Sequence, residues 1–194
     1  NFAVLKVLPI TSSSDIGSQF VKRVYTDPND PSQAYDRLWG RFYFYLDAAI
    51  DGIVKLQQWS SPGFRTQLGG FGLFQNTINF AFGPDFIGCK LINLSSVINA
   101  WHSLEVDYWY NGDPSGFPSA AIWYDGTQLT TCVAAPTSPV SWIDGRLNMG
   151  KRSSSDKLGI YQVLGLINGS PANTIPGNVW VDRIAISSLG RIGP

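Results

Sequence analysis

The sequence predicts an all-β protein with one domain, residues 1–194, built as a two-sheet antiparallel β-sandwich. Three observations support this prediction. Apolar and polar residues alternate with a period of two along the chain, which is the pattern of half-buried strands. Clusters of Gly, Pro, Asn and Asp interrupt the alternation every eight to twelve residues or so, as turns do in sandwiches. Good helix formers are scarce, because 20 Gly and 12 Pro stand beside one Met and one Glu.

The clearest strand is 38–47, whose even-numbered residues are mostly apolar and whose odd-numbered residues are amphipathic or charged. Further strands are predicted at 53–59, 65–68, 77–82, 104–110, 120–124, 128–133, 158–167 and 179–186. Asp125-Gly126 follows the strand at 120–124 and predicts a type I′ hairpin. With no βαβ rhythm, these strands favour antiparallel pairing.

The segment 89–102 fits neither the two-residue period of a strand nor the period of a helix well. Leu91, Leu94, Ile98 and Trp101 recur at helical spacing. The Asn and Ser residues between them compete for backbone hydrogen bonds and weaken a helix. We therefore expect a strand, a polar loop with at most one helical turn, and a new strand from Trp101.

The composition excludes several classes of protein. With 44% hydrophobic and 14% charged residues, the chain is not intrinsically disordered. Its 14 Lys+Arg balance 14 Asp+Glu, which argues against a nucleic-acid surface. No stretch approaches the roughly 18 apolar residues of a membrane span. Few charges, with many Ser, Thr, Asn and aromatic residues, indicate a secreted, extracellular protein.

Cys89 and Cys132 are the only cysteines. A disulfide between them would close a loop of about 43 residues and stabilise the fold by about 4 kcal/mol. Two separate buried thiols are the alternative, and the sequence leaves both open. A thiolate metal site is excluded, since it needs three or four closely spaced ligands.

Three segments follow one another over roughly residues 36 to 193. They are Trp-Gly-Arg-Phe-Tyr-Phe at 39–44, Trp-His-Ser-Leu-Glu-Val at 101–106 with Ile-Trp-Tyr-Asp-Gly at 122–126, and Val-Trp-Val-Asp-Arg-Ile-Ala-Ile at 179–186 with Arg-Ile-Gly at 191–193. Together they resemble the concanavalin A-like lectin/glucanase superfamily of laminin-G-like domains. The resemblance implies a jelly-roll sandwich and a recurring structural calcium ion. Since this superfamily holds lectins, hydrolases, lyases and virion domains, function must be argued from the site.

Pleat geometry predicts a second face on the strands at 38–47, 53–59 and 104–110, opposite the core. We expect its residues to line an open, aromatic, concave sheet: Trp39, Arg41, Tyr43, Tyr45, Lys55, Gln57, Trp59, Glu105, Asp107 and Trp109. The C–H faces of sugars stack on flat rings, and their hydroxyls need directional polar partners. The leading hypothesis is therefore a polysaccharide-binding, lectin-like module. The alternative is that these aromatics form cross-strand packing pairs.

Glu105-Val106-Asp107 resembles the first two carboxylates of the Glu-x-Asp-x-x-Glu signature of jelly-roll glucanases. Trp109 and Tyr110 stand where the acid/base glutamate belongs, and the chain has no other Glu. Glycoside hydrolysis is therefore less expected than a lyase. We expect these carboxylates to bind sugar hydroxyls, to pair with Arg41, or to hold a cation.

Two segments are similar to strands of alginate-lyase-like enzymes: Arg-Thr-Gln-Leu at 65–68 and Lys-Leu-Gly-Ile-Tyr-Gln at 157–162. The alternative function is therefore β-elimination on a uronate-containing glycan. The resemblance implies that Arg65 and Gln67 neutralise the uronate carboxylate and that Tyr161 removes the C5 proton. Gln67 replaces the family's glutamate, and the Gln-x-His strand has no match. His102, the only imidazole, is expected to face the core.

Two further expectations concern a bound cation and self-assembly. Asp27, Asn29 and Asp30, or Asp182, supply the hard oxygen ligands that calcium prefers, although no complete loop motif is present. Low charge and unpaired edge strands also fit a self-assembling surface or virion domain, which is a third functional class.

Overall fold

The computed structural model describes residues 5–7, 20–23, 35–48, 53–60, 67–74, 76–82, 87–111, 116–133, 140–148, 160–163, 167–168 and 178–193. These residues form fifteen strands and one 3₁₀ turn at Leu94–Ser96. The strands are β1 (Leu5–Val7), β2 (Phe20–Arg23), β3 (Arg37–Leu46), β4 (Ile53–Ser60), β5 (Gln67–Phe74), β6 (Thr77–Phe82), β7 (Ile87–Asn93), β8 (Trp101–Trp109), β9 (Ser119–Tyr124), β10 (Thr127–Leu129), β11 (Ser141–Ile143), β12 (Arg146–Asn148), β13 (Ile160–Val163), β14 (Ile167–Asn168) and β15 (Val179–Ser187).

The strands pair into two antiparallel sheets. The eight-stranded sheet has the order β1-β15-β3-β8-β9-β12-β11, with β10 paired to β9. The seven-stranded sheet has the order β2-β13-β4-β5-β6-β7, with β14 paired to β4. The sheets pack face to face, and the rings of Phe42 and Phe71 meet across the core with centroids 6.1 Å apart. The predicted all-β sandwich is confirmed.

Alternation on β3 divides the core from the outer face. Leu38, Phe42, Phe44 and Leu46 are at most 2% exposed and belong to the core cluster between the sheets. The residues between them point away from the core because successive side chains of a strand alternate. The strand predicted at 38–47 is therefore confirmed in orientation, and its observed bounds differ by one residue at each end.

Several local predictions also agree with the structure. Asp125 and Gly126 have φ of 47° and 80° and close the β9–β10 hairpin, as the type I′ signal predicts. The segment 89–102 contains the end of β7, the 3₁₀ turn and the start of β8. The same Asp-Gly signal at Asp144-Gly145 joins β11 to β12, a hairpin that the sequence analysis missed.

Strand β4 departs from the predicted alternation. A register shift pairs Lys55 with Gly72 but Gln57 with Phe71, which leaves Leu56 as an extra, bulged residue. Because Phe71 faces the core, Gln57 does too. Gln57 and Trp59 are 1% and 0% exposed. The prediction that they share an open face is wrong, since the bulge shifts the phase of the strand by one residue.

Cys89 and Cys132 form a disulfide, which resolves the alternative that the sequence left open. The bond ties β7 of the seven-stranded sheet to the segment after β10 of the eight-stranded sheet. Beside it, the amide of Val133 donates to the carbonyl of Lys90 at 2.7 Å. Among the residues that the structure describes, no helix is long and apolar enough to span a membrane.

Candidate functional site

The outer face of the eight-stranded sheet gathers seven aromatic side chains. Strands β3 and β8 pair so that Tyr45 lies opposite Trp101 and Arg37 opposite Trp109. The neighbouring strands β15 and β9 extend the same face. We call this surface the aromatic face, and its rings are Trp39, Tyr43, Tyr45, Trp101, Trp109, Trp123 and Trp180.

Seven of the ten predicted glycan-binding residues lie together on the aromatic face: Trp39, Arg41, Tyr43, Tyr45, Glu105, Asp107 and Trp109. The other three are on β4, in the opposite sheet. Of these, Gln57 and Trp59 face the core, and only the backbone of Lys55 is described. The single hollow that the sequence predicts is therefore divided between two sheets.

Asp107 lies at the centre of the aromatic face and is 1% exposed. Arg37 donates to both of its carboxylate oxygens, from Nε at 2.9 Å and Nη2 at 2.7 Å. Arg146 adds a third charged contact, from Nη1 at 2.6 Å. The hydrogen bond to Asp107 raises the pKa of Arg37. A buried carboxylate with two guanidinium partners is held in place by them and has little capacity left for a ligand, and removing it would leave two arginines without their counter-ion.

The segment 191–193 covers the carboxylate of Glu105. Its Oε1 accepts hydrogen bonds from the amides of Ile192 at 2.8 Å and Gly193 at 3.4 Å, and its Oε2 lies 3.3 Å from Nε of Arg191. Arg41 lies opposite Glu105 in register, yet its Nη1 donates to the carbonyl of Gly193. The expected Glu105–Arg41 ion pair is therefore replaced by Glu105–Arg191.

The same arginines cover the central rings. The guanidinium of Arg37 lies 4.4 Å from the ring centre of Trp39 and 4.6 Å from that of Trp109. Arg191 lies 4.7 Å from the ring centre of Trp123. Such cation–π contacts are favourable within about 6 Å. The centre of the aromatic face is therefore filled by the protein's own side chains.

One end of the face remains open. Trp180, Tyr45 and Trp101 form a cross-strand row over β15, β3 and β8, which we call the aromatic row. The centroids of the Tyr45 ring and the Trp101 ring are 5.7 Å apart, and those of Tyr45 and Trp180 are 5.3 Å apart. Trp101 is 46% exposed. Asn99, with φ of 63°, sets its Oδ1 3.5 Å from the Tyr45 hydroxyl.

His102 lies on the other side of β8, facing the core as predicted. It pairs with Phe44, and their ring centroids are 5.9 Å apart. Its Nδ1 lies 2.7 Å from both Oδ2 of Asp125 and the hydroxyl of Tyr124. Burial, followed by the charge of Asp125, raises the pKa of Tyr124. This cluster fixes the β9–β10 turn against β8.

The residues that the lyase hypothesis needs are only partly described. Arg65 lies outside the described residues, and Gln67 and Tyr161 are described through their backbones alone. Gln67 pairs with Ser60 on one side of β4, and Tyr161 pairs with Trp59 on the other.

The candidate calcium ligands Asp27, Asn29 and Asp30 also lie outside the described residues. Asp182 accepts a hydrogen bond from the amide of Arg183 at 2.7 Å. Within the described ranges, no group of three or more His, Cys, Asp or Glu side chains could hold a metal ion.

Several solved structures have folds similar to that of this chain. Cellulose induced protein Cip1 matches with a TM-score of 0.55 at 12% identity, covering 100% of this chain and 93% of its own. Alginate lyase Aly36B, solved with an alginate trisaccharide, matches with a TM-score of 0.59 at 8% identity. The match covers 97% of this chain and 82% of the lyase chain. The botulinum neurotoxin serotype D binding domain matches with a TM-score of 0.59 at 10% identity, and this chain spans 38% of its length.

The chain has a concanavalin A-like jelly-roll fold. Identities this low show the fold alone. No protein-family model matches the chain, and no curated protein matches it.

Sequence reasoning missed part of the aromatic face of this jelly roll. Trp101 has the same parity as Glu105 and Asp107 on β8, so the pleat rule could have found it. Trp180 can be placed on this face only from the pairing of β15 with β3, and residue spacing does not predict that pairing. Arg146 follows the Asp144-Gly145 turn, whose hairpin signal was available.

Proposed function

We propose that this jelly roll binds a polysaccharide non-catalytically, as a lectin-like module, through the aromatic row. The observation that carries the proposal is Trp101, which is 46% exposed although it contacts the ring of Tyr45. Clustered aromatic rings at a surface mark ligand sites more often than single exposed apolar residues do. Trp and Tyr offer an apolar face and a polar edge, which match the C–H face and the hydroxyls of a sugar.

The tilt of the rings favours a single glycan chain over a flat crystalline surface. The Tyr45 ring is inclined by 51° to Trp101 and by 78° to Trp180, so the three rings form no common plane. A flexible chain can turn successive sugar rings to meet such facets, whereas a crystal face cannot. Tyr43, one row away on β3, extends the proposed contact surface.

The proposal redistributes the roles of the predicted residues. Tyr43 and Tyr45 keep the predicted contact with sugar, and Trp101 and Trp180 join them. We assign the closed centre of the face to positioning the strands: Trp39, Arg41, Glu105, Asp107 and Trp109. Lys55, Gln57 and Trp59, on the opposite sheet, have no place in this contact.

The similar folds and the disulfide support the same proposal. One neighbour is named as a cellulose-induced protein, and another is an alginate lyase. The Cys89–Cys132 disulfide fits an oxidising compartment, and we propose that the protein is secreted.

The test is binding to a panel of polysaccharides, read by affinity electrophoresis and by calorimetry. We expect Trp101→Ala to weaken binding about thirtyfold, which corresponds to the loss of about 2 kcal/mol that defines an interface hot spot. Tyr35→Ala is the matched control, because Tyr35 is 41% exposed. Tyr35 precedes β3, whereas Tyr45 lies near the opposite end of that strand. Equal binding by the wild type, Trp101→Ala and Trp101→Ala/Tyr45→Ala would contradict the proposal.

A polysaccharide lyase is the second candidate. The strands that carry Gln67 and Tyr161, β5 and β13, both pair with β4. Two strand spacings separate these strands by roughly 10 Å, which a uronate residue can bridge. In a lyase, Tyr161 would take the C5 proton while Arg65 and Gln67 neutralise the carboxylate. Tyr161 lies opposite Trp59, which faces the core, so its register ranks the lyase below the lectin-like module.

The lyase test is the ultraviolet absorbance of the unsaturated product during incubation with alginate, glucuronan or pectate. Tyr161→Phe should abolish any rise, and a flat trace on all three substrates excludes the activity. Glycoside hydrolysis is not favoured, since arginines already hold Glu105 and Asp107.

A further inference from the structure

An amide side chain lies at the edge of the aromatic row. Asn99 is exposed, and its Oδ1 is 3.5 Å from the hydroxyl of Tyr45, the middle ring of the row. Trp101 follows two residues later and is also exposed. A sugar that stacks on Trp101 and Tyr45 would therefore come close to the amide of Asn99.

The backbone fixes the position of Asn99. Its amide N–H donates to the carbonyl of Leu46 at 2.8 Å, and the preceding Ile98 forms a parallel bridge with Leu46. Its φ of 63° lies in the left-handed region, which Asn tolerates better than most residues do. Asn99 is thus attached to the end of β3, the strand that carries Tyr45. A polar residue held in this way loses little conformational freedom when it binds a ligand.

The Asn99 amide retains hydrogen-bonding capacity. The 3.5 Å between its Oδ1 and the Tyr45 hydroxyl exceeds the roughly 2.5–3.0 Å of a well-formed O–H···O bond. Among the residues that the structure describes, no other hydrogen bond engages the Asn99 side chain. Its Nδ2 donors and its Oδ1 acceptor are therefore left for a ligand that reaches the surface.

The other amide at this end of the sheet is already engaged. Asn178 immediately precedes β15, and Asp47 immediately follows β3. The backbone and side-chain nitrogens of Asn178 both donate to the carboxylate of Asp47, each at 2.6 Å. Asn99 is therefore the amide at this end that offers a donor and an acceptor together.

A side-chain amide matches a pair of neighbouring hydroxyls. It presents an acceptor oxygen and an NH₂ donor side by side. Of two hydroxyls on adjacent carbons of a sugar, one can accept from Nδ2 while the other donates to Oδ1. The linkage of the polysaccharide decides whether internal sugars have such a pair. A 1,4-linked pyranose keeps free hydroxyls on C2 and C3, whereas a 1,3-linked pyranose has no two free hydroxyls on adjacent carbons.

We propose that Asn99, beside the Tyr45 hydroxyl, is a specificity-determining residue that binds adjacent sugar hydroxyls, so that the polysaccharide at the aromatic row is 1,4-linked and not 1,3-linked. This inference rests on the proposed function. A sugar ring would stack on Trp101, and its C2 and C3 hydroxyls would meet the amide of Asn99.

The test compares soluble oligosaccharides that share sugar, anomer and length and differ in linkage. β-1,4-linked and β-1,3-linked chains are paired for glucose, for galactose and for xylose, and affinity is measured by calorimetry. In at least one pair we expect the 1,4-linked chain to bind about fivefold more tightly, the scale of one net hydrogen bond.

Asn99→Gly removes the amide and keeps the positive φ, which glycine adopts without strain. This variant should lower the affinity for the 1,4-linked chain about fivefold, to that of its 1,3-linked partner. Asn76→Gly is the matched control, because Asn76 is also exposed, has φ of 58° and precedes β6 of the opposite sheet. It should bind as the wild type does.

Three results overturn the role of Asn99: a 1,4-linked chain that binds no more tightly than its partner in every pair, an unchanged affinity of Asn99→Gly, or an equal loss in Asn76→Gly. Failure of every 1,4-linked chain to bind overturns it as well. Trp101→Ala must still weaken binding to the polysaccharide panel in these cases if the proposed function holds. Absence of binding to every polysaccharide overturns both proposals.

Discussion

Replacement of Asp107 by Asn tests whether the centre of the aromatic face is structural. The change preserves volume and removes the charge that balances Arg37 and Arg146. Loss of one partner of a buried ion pair costs about 3–5 kcal/mol. The Arg37 side chain is 38% exposed and can turn into water, whereas that of Arg146 is 15% exposed and remains buried. We therefore expect the lower end, about 3 kcal/mol.

The measurement is urea unfolding followed by tryptophan fluorescence, with the disulfide intact. For a chain of this size the expected loss corresponds to a fall in Tm of about 6–12 °C. Asp144→Asn is the control, because Asp144 is exposed and Asn is well tolerated at its position in the type I′ turn between β11 and β12. If Asp107→Asn costs no more than this control, the assignment of Asp107 as a buried counter-ion is refuted.

Three further predictions concern stability. Replacing Cys89 and Cys132 by Ser should cost about 4 kcal/mol in calorimetry, and unchanged unfolding under reducing conditions would contradict this. Since the pKa of Tyr124 is raised in the fold, the unfolded state releases this proton first, and stability should fall as pH rises above about 10. In the Tyr124→Phe variant, Tm should fall less steeply above about pH 10 than in the control variant Tyr35→Phe. Parallel profiles of Tm against pH in the two variants would contradict this prediction. Gln57 is 1% exposed, and neither amide atom has a partner in the described residues, so Gln57→Leu should raise stability by about 1–2 kcal/mol in urea unfolding. A lower midpoint would show that the amide is satisfied.

The sequence predicts β3 and β8 well because the pairing of these two strands contains no bulge. Each residue's face then follows from its parity alone. Strand β4 fails for the opposite reason. Its one extra residue, Leu56, is defined by pairing with β5, and nothing in the local run Lys-Leu-Gln-Gln-Trp marks it. Periodicity therefore predicts faces only as far as the next bulge.

The closure of the central face depends on contacts distant in sequence. Asp107 meets Arg37 and Arg146 at separations of 70 and 39 residues, and Glu105 meets Arg191 at 86. Residue spacing predicts that the carboxylates share a face with aromatic rings. It does not predict which cations cover them, since that depends on how distant strands and the segment 191–193 assemble.

The division between a closed centre and an open end follows from where the carboxylates lie. A buried carboxylate must be paired, and each arginine that pairs with Glu105 or Asp107 also covers a neighbouring tryptophan. The aromatic row of Trp180, Tyr45 and Trp101 contains no carboxylate to draw an arginine over it. Trp101 is therefore left in water, and a glycan is proposed to cover it. A variant that places a carboxylate in this row, Tyr45→Glu, should for the same reason impair both stability and glycan binding.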